Sequence, residues 1–100
     1  LALTGDFFSA LDAQRYGLVN SLTPPGEALA GARALAARVT ANGPLAGAAT
    51  KEIITKAADW TFEEGWDAQQ PILGPVFASA DAREGARAFA EKRAPQWKGH

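Results

Sequence analysis

Apolar residues recur along this chain at three- and four-residue spacing, in stretches separated by proline, glycine and asparagine, and the pattern predicts five helical stretches. Ser9 followed by Asp12 forms a capping-box signal for a short helix through about Tyr16, with Gly17 supplying a left-handed C-terminal residue. Residues 18–22 then read as a brief extended segment. Pro24-Pro25-Gly26 signals a helix start, and Leu29, Ala32, Leu35, Ala36 and Val39 lay one apolar stripe to about Thr40, where Asn42-Gly43 stops it. Pro44 fits the first turn of a third helix, on which Leu45, Ala49, Ile53 and Ala57 share a face. Thr61 and Glu64 predict a capping box for a fourth helix that carries Trp66 inward. Pro71 should kink or divide that helix, because it lacks an N–H and its ring meets the preceding turn. Asp81, with Glu84 three residues on, predicts the N-cap of a fifth helix, which Pro95 ends. There is no internal repeat, heptad series or low-complexity tract, so the fold class expected is mostly α.

Composition narrows the classes of function. The length of 100 residues suits one small domain, and ten basic residues against eleven acidic ones leave no net field for nucleic acid or a membrane surface. Charge is unevenly spread. Residues 52–80 carry five acids against the single base Lys56, while residues 81–100 carry five bases against three acids. With no cysteine there is no disulfide, thiolate ligand or thiol nucleophile, which fits a reducing cytoplasm, the expected location. No apolar run approaches the ~20 residues that cross a bilayer. The opening Leu1-Ala2-Leu3-Thr4-Gly5 has no methionine and reads as the last turn of a helix already under way, so a piece of a longer protein is expected.

The residues that could carry chemistry are few. His100, the one histidine, is terminal, where a solvated backbone cannot hold a general base in place. One histidine without cysteine makes no closed zinc site, so no metal is expected. Glu63 and Glu64 are ~100° apart on a helix and read as negative charge at a helix start. Ser9, Thr50 and Ser79 have no base in a recognisable motif and read as caps or packing residues. Trp60, Phe62, Trp66, Phe77 and Phe89 stand at helical spacing and read as core; Trp97, beside Lys98, could instead meet a bound adenine or a neighbouring subunit. Lys92, Arg93 and Lys98 remain, either as a solvated basic helix end or as groups that meet a phosphate.

The tail Arg83-Glu84-Gly85, Ala88-Phe89, Glu91-Lys92-Arg93, Pro95, Trp97 and Gly99 resembles the closing signature of the crotonase (enoyl-CoA hydratase/isomerase) family. Leu3-Thr4-Gly5, Ser9-Ala10, Asp12-Ala13 and Gly17-Leu18-Val19-Asn20 resemble an earlier block of the same family. Pro44-Leu45-Ala46 with Lys51 resembles a third. Blocks in this order across nearly the whole chain carry more weight than any one of them.

The resemblance implies the C-terminal helical trimerisation region of the α/β crotonase spiral fold. Residues 1–22 would be the end of the spiral core, with a short helix and strand, and residues 23–100 the helical C-terminal region. It implies a parent enzyme that hydrates a 2-enoyl-CoA or works on a related acyl-CoA thioester, with no further cofactor. Its oxyanion-hole N–H groups and two glutamates would precede the position of Leu1, so the chain alone is expected to be inactive. The implied partners are the acyl-CoA substrate and further copies of the chain, as a trimer or hexamer, whose last helices cover coenzyme A. Lys92 stands where members often place a lysine near a coenzyme A phosphate, whereas Arg93 and Trp97 take mainly structural roles. Leu73 stands where some members have an aromatic beside the adenine, and a leucine cannot stack there in the same way. An alternative reading is a helical oligomerisation or interaction module without catalytic activity, motivated by the alanine-rich faces and the absence of catalytic groups.

Overall fold

The computed structural model describes residues 2–100; Leu1, where the sequence reads as the end of an earlier helix, lies outside the described residues. The chain divides into two compact units, Leu1–Ala36 and Ala37–His100. The regular elements among the described residues are helices and one 3₁₀ turn, so the expectation of a mostly α chain holds.

In the first unit, α1 (Ala10–Arg15) starts because the Ser9 side chain accepts the Asp12 N–H at 3.1 Å. It ends as expected. Gly17 adopts φ 75° and donates to Gln14 O, while Leu18 N–H reaches back to Ala13 O, closing a Schellman motif. Residues 18–22 then form no strand ladder, since no second strand lies among the described residues to pair with them. Helix α2 (Ala28–Thr40) begins later than Pro24-Pro25-Gly26 implies. Gly26 sits at φ 84°, which a right-handed helix cannot include, so the start is pushed past it.

In the second unit, the Asn42 side chain donates to Arg38 O at 2.8 Å and to Val39 O at 3.3 Å, covering carbonyls that the end of α2 leaves open. Helix α3 (Pro44–Lys56) opens on Pro44 and runs into the 3₁₀ turn Ala57–Asp59. The Thr61–Glu64 capping box is present in full and starts α4 (Phe62–Ala68). Gln69 then closes α4 and precedes α5 (Gln70–Ala78), so Pro71 does divide the expected fourth helix; it sits in the first turn of α5, where its missing N–H does least harm. Helix α6 (Ala80–Ala90) follows, and here the sequence expectation is corrected. Ser79, not Asp81, is the N-cap: its hydroxyl accepts the Ala82 N–H at 2.9 Å and donates to Val76 O at 2.6 Å. Asp81 is already inside the helix, only 4% exposed, and is used elsewhere.

The aromatic residues are a second correction. Phe62 is 96% exposed and Phe89 87%, with Trp66 and Phe77 also exposed, so these side chains are not the core of this chain. Its buried apolar side chains among the described residues are Ala13, Ala49 and Ala88. Helical spacing shows that residues share a face, and it is silent on which protein surface covers that face.

Candidate functional site

Residues 91–100 leave α6 without regular structure, yet they are fastened along it. Asp81, Glu84, Gly85 and Ala88 lie at positions that share one face of α6, and that face meets the tail. The Asp81 carboxylate accepts Lys98 N–H at 2.7 Å and Gly99 N–H at 2.9 Å, while Asp81 N–H donates to His100 O at 3.2 Å. A buried carboxylate demands such partners, and the tail backbone supplies them. Between these anchors lies Trp97. Its indole N–H donates to Ala41 O at 2.8 Å, and its ring passes close to Gly43 and Gly85. A methyl group added at Gly85 would lie 3.2 Å from the ring, so a glycine leaves the room that the indole fills. Trp97 thus serves packing, one of the two readings its sequence position allows.

Glu84 is the second fastening. Arg93 meets it with a two-pronged ion pair, at 2.6 and 3.1 Å, and the Gln96 N–H donates to the same carboxylate at 2.9 Å. The hydrogen bond from Arg93, and after it the one from Gln96 N–H, holds the Glu84 carboxyl down at about 2. In return the Glu84 carboxylate raises the guanidinium's pKa above its ordinary value. Arg93 also donates through Nε to Glu91 at 2.6 Å and through its NH1 nitrogen to Ala94 O at 3.1 Å. Four of its five N–H donors are thus engaged within the protein.

Lys92, between these partners, has a different geometry. Its backbone is left-handed, at φ 52°, where side chains other than glycine are disfavoured. Lys92 N–H donates to Phe89 O at 3.2 Å and Arg93 N–H to Ala88 O at 3.0 Å, the same Schellman closure that Gly17 makes for α1. Its side chain is exposed and makes no ion pair. Lys98 is exposed as well; with Arg83, Arg87, Gln96 and the two clamping carboxylates it lines a polar recess of about 270 Å³. His100 is exposed, with Nδ1 3.2 Å from Lys98 O and no ion pair to a carboxylate.

A second concave surface is mostly apolar. Leu45, Ala49, Trp60, Ile72 and Val76 help to line an open groove of about 640 Å³ between α3 and α5, with Glu52 and Lys56 paired at its edge. Leu73 is half-buried on α5. Glu63 and Glu64 occupy the first turn of α4, where the Thr61 N–H lowers the Glu64 pKa, and Ser9 and Ser79 cap helices. Among the described residues no group of three metal-ligating side chains comes together, and no helix is long and apolar enough to cross a membrane. Sequence reasoning missed Asp81 and Glu84 as the tail's anchors. Their i, i+3 spacing was visible, but a capping box uses the same spacing, and only the folded tail distinguishes the two.

A family model described as enoyl-CoA hydratase/isomerase matches residues 1–100. The chain is 42% identical over 104 residues to carnitinyl-CoA dehydratase of Salmonella arizonae, across all of this chain and 40% of that protein. It is 42% identical over 97 residues to enoyl-CoA hydratase EchA19 of Mycobacterium tuberculosis, across 97% of this chain and 36% of the other. In three dimensions it matches a crystal structure of enoyl-CoA hydratase from Mycobacterium tuberculosis H37Rv with a TM-score of 0.96 and 55% identity, over all of this chain and 40% of that one. The chain therefore spans about 40% of the length of these relatives.

Proposed function

Because the chain belongs to the enoyl-CoA hydratase/isomerase family, we propose that it serves as the C-terminal helical part of a cytoplasmic enzyme that hydrates a 2-enoyl-CoA. In this reading the helices assemble subunits into a trimer or hexamer and cover coenzyme A, while the reacting groups are supplied by other parts of the enzyme. Two backbone N–H groups there would stabilise the thioester enolate and two glutamates would handle water, chemistry that the described residues do not bring together. The observation that carries the proposal is Lys92. Its neighbour Arg93 is engaged by Glu84 and Glu91, whereas the Lys92 side chain is exposed at a hydrogen-bonded helix cap and makes no ion pair. A cation so presented suits a coenzyme A phosphate.

Lys92→Ala in the full-length enzyme is expected to raise KM for crotonyl-CoA up to roughly tenfold, the effect of one contact worth ~1.4 kcal/mol, with kcat little changed. An unchanged KM would return Lys92 to the status of a solvated charge. The exposed Phe62, Trp66, Phe77 and Phe89 favour a second reading, a module whose whole contribution is subunit contact. Under that reading Lys92→Ala leaves KM alone, and replacing these aromatics shifts the oligomeric state.

A further inference from the structure

We infer that Glu84 is a positioning residue for Lys92, acting through Arg93 to hold the lysine backbone in its left-handed cap. The inference rests on the reading that Lys92 meets coenzyme A, and it adds how that ammonium is kept in place. A lysine at the C′ position of a Schellman motif is unfavourable by about 1 kcal/mol relative to glycine, so the cap needs support from outside its own two hydrogen bonds. Residue 93 provides it. The guanidinium bridges Glu84, nine residues back on α6, and Glu91, which precedes Lys92, so both neighbours of the lysine are tied to one rigid fork.

The two carboxylates are not equivalent. Glu91 is 52% exposed and its pair with Arg93 is local, the kind of contact that solvent weakens. Glu84 is 20% exposed, binds both prongs, and also accepts Gln96 N–H from beyond the cap. It therefore fixes the chain on the far side of Lys92 as well. Without it, Arg93 and Gln96 lose their side-chain anchor on α6, the two backbone bonds of the cap hold Lys92 alone, and the left-handed backbone can relax into conformations that aim the ammonium elsewhere. Because a misdirected contact is lost in ground state and transition state alike, the loss should fall on KM.

The test compares Glu84→Gln, Lys92→Ala and the double variant in the full-length enzyme, with crotonyl-CoA and with the crotonyl thioester of pantetheine, which lacks the nucleotide phosphates. Glu84→Gln is expected to raise KM for crotonyl-CoA roughly two- to fivefold at constant kcat, the low end of the coupling found within one network. It should leave KM for the pantetheine thioester unchanged and add nothing when Lys92 is already alanine. Glu91→Gln should have little effect. A KM increase shared by both substrates, or persisting in the double variant, or absent altogether while Lys92→Ala has its effect, overturns the positioning role. If Lys92→Ala itself leaves KM for crotonyl-CoA unchanged, the underlying reading fails instead. Should Glu84→Gln not fold, Arg93→Lys keeps the charge but loses the fork, and the same substrate pattern decides the matter.

Discussion

Gly17 and Lys92 occupy equivalent positions in two helix caps, at φ 75° and 52°, and the same pair of backbone hydrogen bonds closes each. The difference lies in the side chain. Glycine adopts this backbone freely, whereas lysine does so at a conformational disadvantage that a contact made by its ammonium would offset. Lys92→Gly is therefore expected to raise stability by about 1 kcal/mol, read as a higher melting temperature. Gly17→Ala should lower it by a similar amount, since an added methyl group there meets nothing within 4 Å and only the backbone conformation is penalised. A melting temperature unmoved by Lys92→Gly would mean that the cap carries no strain. The left-handed glycine was legible in the sequence because glycine announces such positions; a lysine in the same conformation gives no local signal.

The helices themselves were mostly legible from their ends. Ser9, Thr61 and Pro44 mark starts, and Gly17 and Asn42 mark stops, because each residue satisfies or tolerates an unpaired backbone group within a few positions of itself. Asp81 misled because the residue that caps α6, Ser79, lies two positions earlier, and the burial of Asp81 depends on a tail 17 and 18 residues away. Two element ends rest on carboxylates with lowered pKa values: Glu64, through the backbone and side chain of Thr61, and Glu84, through Arg93 and Gln96. Groups lowered in the folded state stabilise it fully above their unfolded value, here 4.5, and progressively less as the solution is acidified. Helicity and tail docking should therefore weaken from about pH 4.5 downward, with the Glu84 part fading until about pH 2. Circular dichroism across this range checks it, and Glu84→Gln should flatten the lower portion of the profile.

At the scale of the molecule, the family was legible because its blocks lie in order along the whole chain, whereas the exposure of the aromatics was not. Periodicity groups Phe62 with Trp66 but cannot say whether the covering surface belongs to this chain. Purified alone, the 100-residue chain is expected to bind a hydrophobic dye such as ANS through these side chains and to give no turnover of crotonyl-CoA. Measurable hydration would locate the reacting groups within the described residues after all. The tail contact with the longest reach, Trp97 to Ala41, spans 56 residues. During synthesis on the ribosome, Ala41, Gly43 and Gly85, which seat this indole, all emerge before Trp97 itself and before the Lys98 and Gly99 N–H groups that satisfy Asp81. Deleting residues 96–100 would therefore remove the indole from its seat and open Asp81 to water, and the harm to the folded protein should exceed what so few residues suggest.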